Sequence, residues 1–348
     1  MFPIFIGITV FAFILLRSFP NSVLVADFIQ VNGTTGGTSS QALVQKASER
    51  LGLGYPAPIQ YFLFLDNFIT GHWGYVTKPL IGSTIQLISI LLPNSLQLLI
   101  LSFSLTLLIG IPLGTLIGSR PLSLSDHSIR MFSLVGFAMP QFFFGLILML
   151  IFGKGVANWP GAVFPIFGSI SFSGTPPSWA YDQNLGAVIS TPTHMIFFDA
   201  LLHLDIPLAL NALMHLVLPV LTLSYALLAT VIIYLRAGMI DASGQEYVKT
   251  AIAKGVPMKR LVKVHIRRNA IIPTVTNIGF FMTYVLGALV VVEMLFGYNG
   301  IGWFIAQATI YSQVYGIVYS GIIFGVILMV INFFIDILYV FLDPRIRY

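Results

Sequence analysis

The sequence has no cysteine and very little charge, with Asp, Glu, Lys and Arg making up 8% of its 348 residues. A soluble domain carries roughly a quarter. With so few charges the chain could not cover a water-exposed surface. The missing cysteine excludes disulfides, thiolate metal ligands and thiol nucleophiles, and says little about redox compartment. No Gly-rich loop ending in Lys-Ser/Thr occurs, so the chain has no phosphate cradle with which to bind ATP. Neither a G-x-S-x-G elbow nor an H-E-x-x-H helix occurs, which leaves an intramembrane hydrolase without support.

What is present is apolar. Hydrophobic residues reach 57% and mean hydropathy is +0.92. They fall in blocks of about twenty, the length that crosses a bilayer as a helix. Six spans are expected: 2–16, about 96–117, 131–153, 214–235, 271–292 and 317–341. The first is short, and Arg17 can snorkel from its end. A cleaved signal peptide is the alternative there, but no basic segment precedes the run and no small-x-small site follows it. The expected organisation is a first transmembrane helix at 1–17, an extracytoplasmic segment at 18–92 and a five-span core at 93–348. That core carries an external insertion at 154–212 and a basic cytoplasmic loop at 236–270. Within 18–92, VNGTTGGTSSQ reads as a flexible loop. Within 154–212, the stretch from Thr193 to Ala212 holds His194, Asp199, His203 and Asp205, and reads as interfacial rather than spanning.

The net charge of +5 could suggest nucleic acid. The placement of the cations fits membrane topology better, and no nucleic-acid partner is expected. With the N-terminus inside, twelve basic residues fall on inner segments: Arg120, Arg130, Arg236, Lys249, Lys254, Lys259, Arg260, Lys263, Arg267, Arg268, Arg345 and Arg347. Five fall outside: Arg17, Lys46, Arg50, Lys78 and Lys154. The positive-inside rule then gives a multi-pass protein of the cell membrane with both termini cytoplasmic.

The segment 236–273, RAGMIDASGQEYVKTAIAKGVPMKRLVKVHIRRNAIIP, is too long for a simple connection. EYVKTAIAKG reads as a short helix. Gly255 stands just past its last turn, where glycine reaches positive φ without strain, and Pro257 stops the same helix from continuing. A second basic helix, MKRLVKVHIRRNA, leads into the fifth span. A projecting helix of this kind is either a lever for a soluble partner or a basic helix resting on anionic lipid.

The run EYVKTAIAKGV…HIRRNAIIPTVT resembles the cytoplasmic loop of the oligopeptide/dipeptide ABC-importer permeases. The resemblance continues through VVEMLFGYNGIGWFIAQATI and INFFIDILYVFLDPRIRY. Upstream, LGYPAPIQYFLFLDNFITGHWGY, IPLGTLIGSRP, DHSIRMFSLVGFAMPQFFFG and HLVLPVLTLSYALLAT match in order, so it covers most of the chain. It implies an all-α, type I ABC-importer permease fold whose pathway is lined by the third to sixth spans. It implies a homologous second permease, two ATP-binding subunits that hold ATP and magnesium, and an extracytoplasmic substrate-binding protein. No cofactor is implied in this chain, which is not an enzyme. In that family the loop docks into a groove on the ATPase. By resemblance Lys249, Thr250 and Ala251 stand where many importers have Glu-Ala-Ala, and Gly255 stands at the motif's glycine. With Glu246, Tyr247 and Lys254 they make up the expected coupling set. The departure from Glu-Ala-Ala is common to the peptide branch and argues against the small-sugar branch. Oligopeptide is the default solute, with oligosaccharide and nickel among relatives. Two departures, Pro20 without the family's Pro-Gly-Asp-Pro turn and the long segment 154–212, lie outside and leave the coupling segment untouched.

Other residues invite sharper readings. Asp336, with Asn332 on the same face of the sixth span, is an intramembrane functional candidate or half of a structural pair. Glu293, before Gly297, Gly300 and Gly302, is either part of an outer gate or a cap on a tight turn. His72, His194, His203 and His215 could hold nickel, but they are scattered and read as surface residues. Asn32-Gly33-Thr34 fits a glycosylation acceptor. Two rivals to an ATP-driven importer are an ion-coupled secondary transporter and a membrane assembly protein. The absence of an internal repeat and of a paired mid-membrane ionisable site weakens the first.

Overall fold

The computed structural model describes residues 2–29, 40–76, 78, 80–156, 159–172, 175–182 and 187–342. The expected flexible loop (apart from Ser40 and Gln41), the Asn32 acceptor triplet, Arg345 and Arg347 lie outside them. The chain is an all-α membrane protein: helices α1 to α14 carry nearly everything, and the described strands are two short antiparallel hairpins, β1–β2 at Tyr75–Val76 and Gly82–Ser83, and β3–β4 at Tyr181–Asp182 and Ala187–Val188.

Among the described residues four helices are long and apolar enough to cross a membrane: α5 (Thr84–Ser119), α9 (Ile206–Ser243), the run ending in α12 (Arg267–Phe296), and α14 (Val314–Leu342). The count is six if each of two bent pairs is one span. These pairs are α1 (Phe2–Arg17) with α2 (Asn21–Ile29), bent by 106°, and α6 (Leu124–Ala138) with α7 (Gln141–Phe152), bent by 111°. The third expected span is therefore broken. Pro140 forces Met139 into an extended conformation at ψ 128°, and α7 restarts after it.

Three boundaries differ from expectation. α5 begins at Thr84, so it takes in residues 84–92 of the segment expected to be external and 93–95 before the expected span. Between α1 and α5 the segment expected to be external also holds α3 (Ser40–Arg50) and α4 (Ala57–Ile69). Residues 206–212, expected to be interfacial, are the first two turns of α9. The four polar groups that suggested an interface, His194, Asp199, His203 and Asp205, lie before that helix. Leu204 turns the chain at φ +56°, and Asp205 Oδ1 accepts the Leu208 N–H at 3.1 Å, capping the new helix. Asp199, on the short helix α8 (Ile196–Leu202), accepts from Thr193 N at 2.9 Å and Thr193 Oγ1 at 2.7 Å.

The chain divides into two compact units. The first comprises Met1–Leu96, Phe167–Leu213 and Phe296–Met329. Its core joins Leu24, Phe64, Trp73, Leu87, Leu91, Tyr315 and Tyr319. Trp73 stacks on Tyr319 with ring centroids 5.2 Å apart and on Phe68 at 5.2 Å. Each such ring pair adds about 0.5–1.5 kcal/mol beyond area burial. The turn containing Gly297, at φ +56°, leads into α13 (Ile301–Ile310). Asn94 Nδ2 donates to Asn299 O at 2.9 Å, and Ser95 Oγ accepts the Ile301 N–H at 2.8 Å. The glycines thus form a turn clamped by α5.

The second unit comprises Gln97–Ile166, Met214–Leu295 and Val330–Tyr348. Its organising contact is a row of small residues on α5, Gly110, Gly114 and Gly118, against Val231, Leu235 and Met239 of α9. A Cβ at Gly118 would stand 2.5 Å from Met239 Cβ, and one at Gly114 would stand 3.0 Å from Leu235 Cβ. Lipid supplies no hydrophobic drive to associate helices, so close backbone approach and dispersion hold the two together. Gly238 of α9 lets α12 approach likewise, since a Cβ there would meet Ala270 O at 2.8 Å.

Candidate functional site

The loop expected to couple folds as short helices between α9 and α12. α9 ends at Ser243, and α10 (Glu246–Ala253) begins after the two residues Gly244 and Gln245. Glu246 lies in its first turn, where the helix dipole favours an acid. Lys249 Nζ is 2.7 Å from Glu246 Oε1, an exposed pair of about 0.2–0.5 kcal/mol. Thr250 Oγ1 donates to Glu246 O at 3.1 Å. These three residues share the outer face, with Tyr247 and Ile252 also exposed.

The opposite face is anchored. Val248 is buried in a cluster with Leu235, Met239 and Ala242 of α9, Leu261 and Ile266, and Ala270 of α12. Ala251 and Val256 pack against the same cluster. The Val256 N–H donates to Ala251 O at 3.1 Å and the Gly255 N–H to Ile252 O at 2.9 Å, with Gly255 at φ +76°. This pair of bonds is a Schellman cap, and the Ala251–Val256 association is its usual apolar contact. Pro257 then caps α11 (Met258–Arg260), which runs through a π-helical turn at Leu261–Ile266 into α12. The expected second basic helix is present, with a locally widened turn at its centre; such turns are frequent at functional sites. Lys254, Lys259, Arg260 and Lys263 are exposed around Met258. The surface offers cations and apolar side chains together.

The remaining residues singled out from the sequence lie elsewhere. Glu293 is fully buried in the last turn of α12, about 39 Å along that helix from its start. Asp336 is exposed on α14 and makes no hydrogen bond or ion pair among the described residues, and Asn332 is half-buried one turn before it. His215, read as a surface residue, is buried within α9. His203 stacks on Trp179 with centroids 4.2 Å apart. Among the described residues no group of three His, Asp or Glu is arranged to hold a metal.

Sequence reasoning missed an ion pair. Arg236, counted only for topology, places Nε 2.5 Å from Asp126 Oδ1 and Nη2 2.7 Å from Asp126 Oδ2. The partners are 110 positions apart, and only Ser123, three residues before Asp126 and capping its N–H at 3.2 Å, hinted at a helix start there. The glycine row at four-residue spacing was readable, but its partner helix was not.

A family described as binding-protein-dependent transport system inner membrane component matches residues 110–348. The oligopeptide transport system permease protein AppB of Bacillus subtilis (strain 168) is 30% identical, over 99% of this chain and 96% of that protein. The di/tripeptide transport system permease protein DppB of Pseudomonas aeruginosa (strain UCBPP-PA14) is 31% identical, over 100% of this chain and 96% of that protein. The probable D,D-dipeptide transport system permease protein DdpB of Escherichia coli (strain K12) is 30% identical, over 89% and 86%.

Proposed function

Because the chain belongs to the family of inner-membrane components of binding-protein-dependent transport systems, we propose that it is the permease subunit of an ATP-driven peptide importer, coupled to its ATPases through α10. Peptide is favoured because the three relatives are named for oligopeptide, di/tripeptide and D,D-dipeptide transport. The complex would contain a homologous second permease, two ATP-binding subunits that hold ATP and magnesium, and an extracytoplasmic protein that delivers the solute. Both chain termini and the loop 236–270 face the cytoplasm, a topology supported by twelve cations on inner segments against five outside.

One observation carries the coupling role: α10 is short, anchored on one face and exposed on the other, and closed by a glycine cap. A push on the exposed face therefore moves α9 and α12 as well, because Val248 shares their core. A disordered loop would absorb the same push. Glu246, Tyr247, Lys249, Thr250, Ala251, Lys254 and Gly255 are the residues assigned to it.

Reconstitution tests the reading. The chain in proteoliposomes with its partner subunits is expected to take up labelled di- to oligopeptides only with ATP and loaded binding protein, and alone to bind no ATP. Uptake driven by a proton or sodium gradient without ATP would instead establish a secondary transporter and overturn it.

A further inference from the structure

The Asp126–Arg236 pair is more than a charge buried at a helix end. The Asp126 side chain is fully buried and that of Arg236 is 18% exposed. The two parallel contacts form a fork, the most directional ion-pair geometry available to side chains. Asp126 is itself held, since its Oδ2 accepts the Leu122 N–H at 2.9 Å and its own N–H donates to Ser123 Oγ. On the other side, Arg236 follows Leu235 and precedes Met239, two members of the cluster that anchors Val248 of α10. Displacing α10 therefore displaces the segment of α9 that carries the guanidinium, and with it the first turn of α6.

α9 grips the same broken span at a second place. Tyr225 stacks on Phe144 of α7 with centroids 3.8 Å apart and meets Phe132 of α6 edge-on at 5.4 Å. Gln141 Nε2, beside the break, donates to Leu223 O at 3.1 Å. Tyr225 and Arg236 are about 16 Å apart along α9. Attachment at two separated points fixes both position and angle, so α6–α7 follows α9 as one body. Stability alone gives a weak reason for charge here, because apolar replacement of a whole buried ion pair is often neutral or stabilising. What the fork adds is a defined register of α6 on α9.

We propose, on the reading that α10 is the coupling helix, that Asp126 and Arg236 form the strut that carries its displacement into the broken span α6–α7. Both are positioning residues and touch no solute in this role. The test uses the complete complex with its binding protein in proteoliposomes. The double variant Asp126→Leu/Arg236→Met removes both charges and leaves none stranded; Arg236→Lys keeps the charge and loses the fork; Gly255→Val serves as the reference for failed coupling. Membrane abundance, ATPase co-purification, ATP hydrolysis and uptake per ATP are read together.

The double variant is expected at near-normal abundance, with ATPases bound and hydrolysis largely kept, and with uptake per ATP reduced about ten-fold. Arg236→Lys is expected to lose about three-fold. Wild-type uptake per ATP in the double variant overturns the strut. So does its loss of ATPase association, which would move the pair into docking, and so does its absence from the membrane, which would make the pair a folding element. If Gly255→Val itself transports normally, the coupling reading fails, whatever the pair does.

Discussion

At φ +76°, Gly255 meets nothing within 4 Å of where a Cβ would stand, so any penalty for a side chain there is conformational rather than steric crowding. A β-branched residue in that region costs about 1–3 kcal/mol. Gly255→Val is expected to leave the subunit in the membrane at near-normal level while uptake is largely lost, because the cap re-aims α10. Gly255→Asn, which tolerates left-handed backbone, is expected to keep most uptake. Uptake and abundance measured on both variants separate a conformational requirement from a mere wish for glycine; equal loss in the two would reject it. Gly118 presents the opposite case. It is within a helix, and its problem is space: even an alanine Cβ would stand 2.5 Å from Met239 Cβ. Gly118→Leu is expected to cost about 1–3 kcal/mol by overpacking and to lower abundance or thermal stability before it affects coupling.

α10 has an intrinsic weakness as an element. Eight residues are too few to be a stable helix in water, so its order depends on tertiary anchoring through Val248. Val248→Asp buries a charge among Leu235, Met239 and Leu261 and is expected to cost at least about 2 kcal/mol locally. Amide exchange over 246–253 is expected to accelerate strongly while exchange in the middle of α9 is unchanged, and ATPase co-purification is expected to fall. Persisting protection of 246–253 would show that the cluster is not what holds the helix. The break between α6 and α7 contrasts with this. There Pro140 ends one helix by local sterics, and Gln141 and Tyr225 decide where the next one lies.

For the whole molecule the proposed orientation is directly testable. The chain has no cysteine, so single introduced thiols report without background. Ser243→Cys, beside α10, is expected to resist an impermeant thiol reagent in intact cells and to react after the membrane is opened. Lys46→Cys, on α3, is expected to react from outside. Both side chains are exposed in the fold, so lack of reaction would reflect the side of the membrane rather than burial. The reverse labelling pattern would invert the topology and remove α10 from any cytoplasmic partner.

Composition and local backbone chemistry were enough to establish a membrane protein with up to six spans, a short helix over 246–253 and its stop at Gly255 and Pro257. Blocks of apolar residues, positive φ and the proline ring all act within a few positions of themselves. Only the tertiary structure decided the rest. It added 84–95 to α5 and 206–212 to α9, buried His215, broke the third span through 111°, and set the glycine row of α5 on α9. It also brought Asp126 to Arg236. Such pairings depend on which surfaces meet in space, and a carboxylate 110 positions from its guanidinium carries no local mark of its partner.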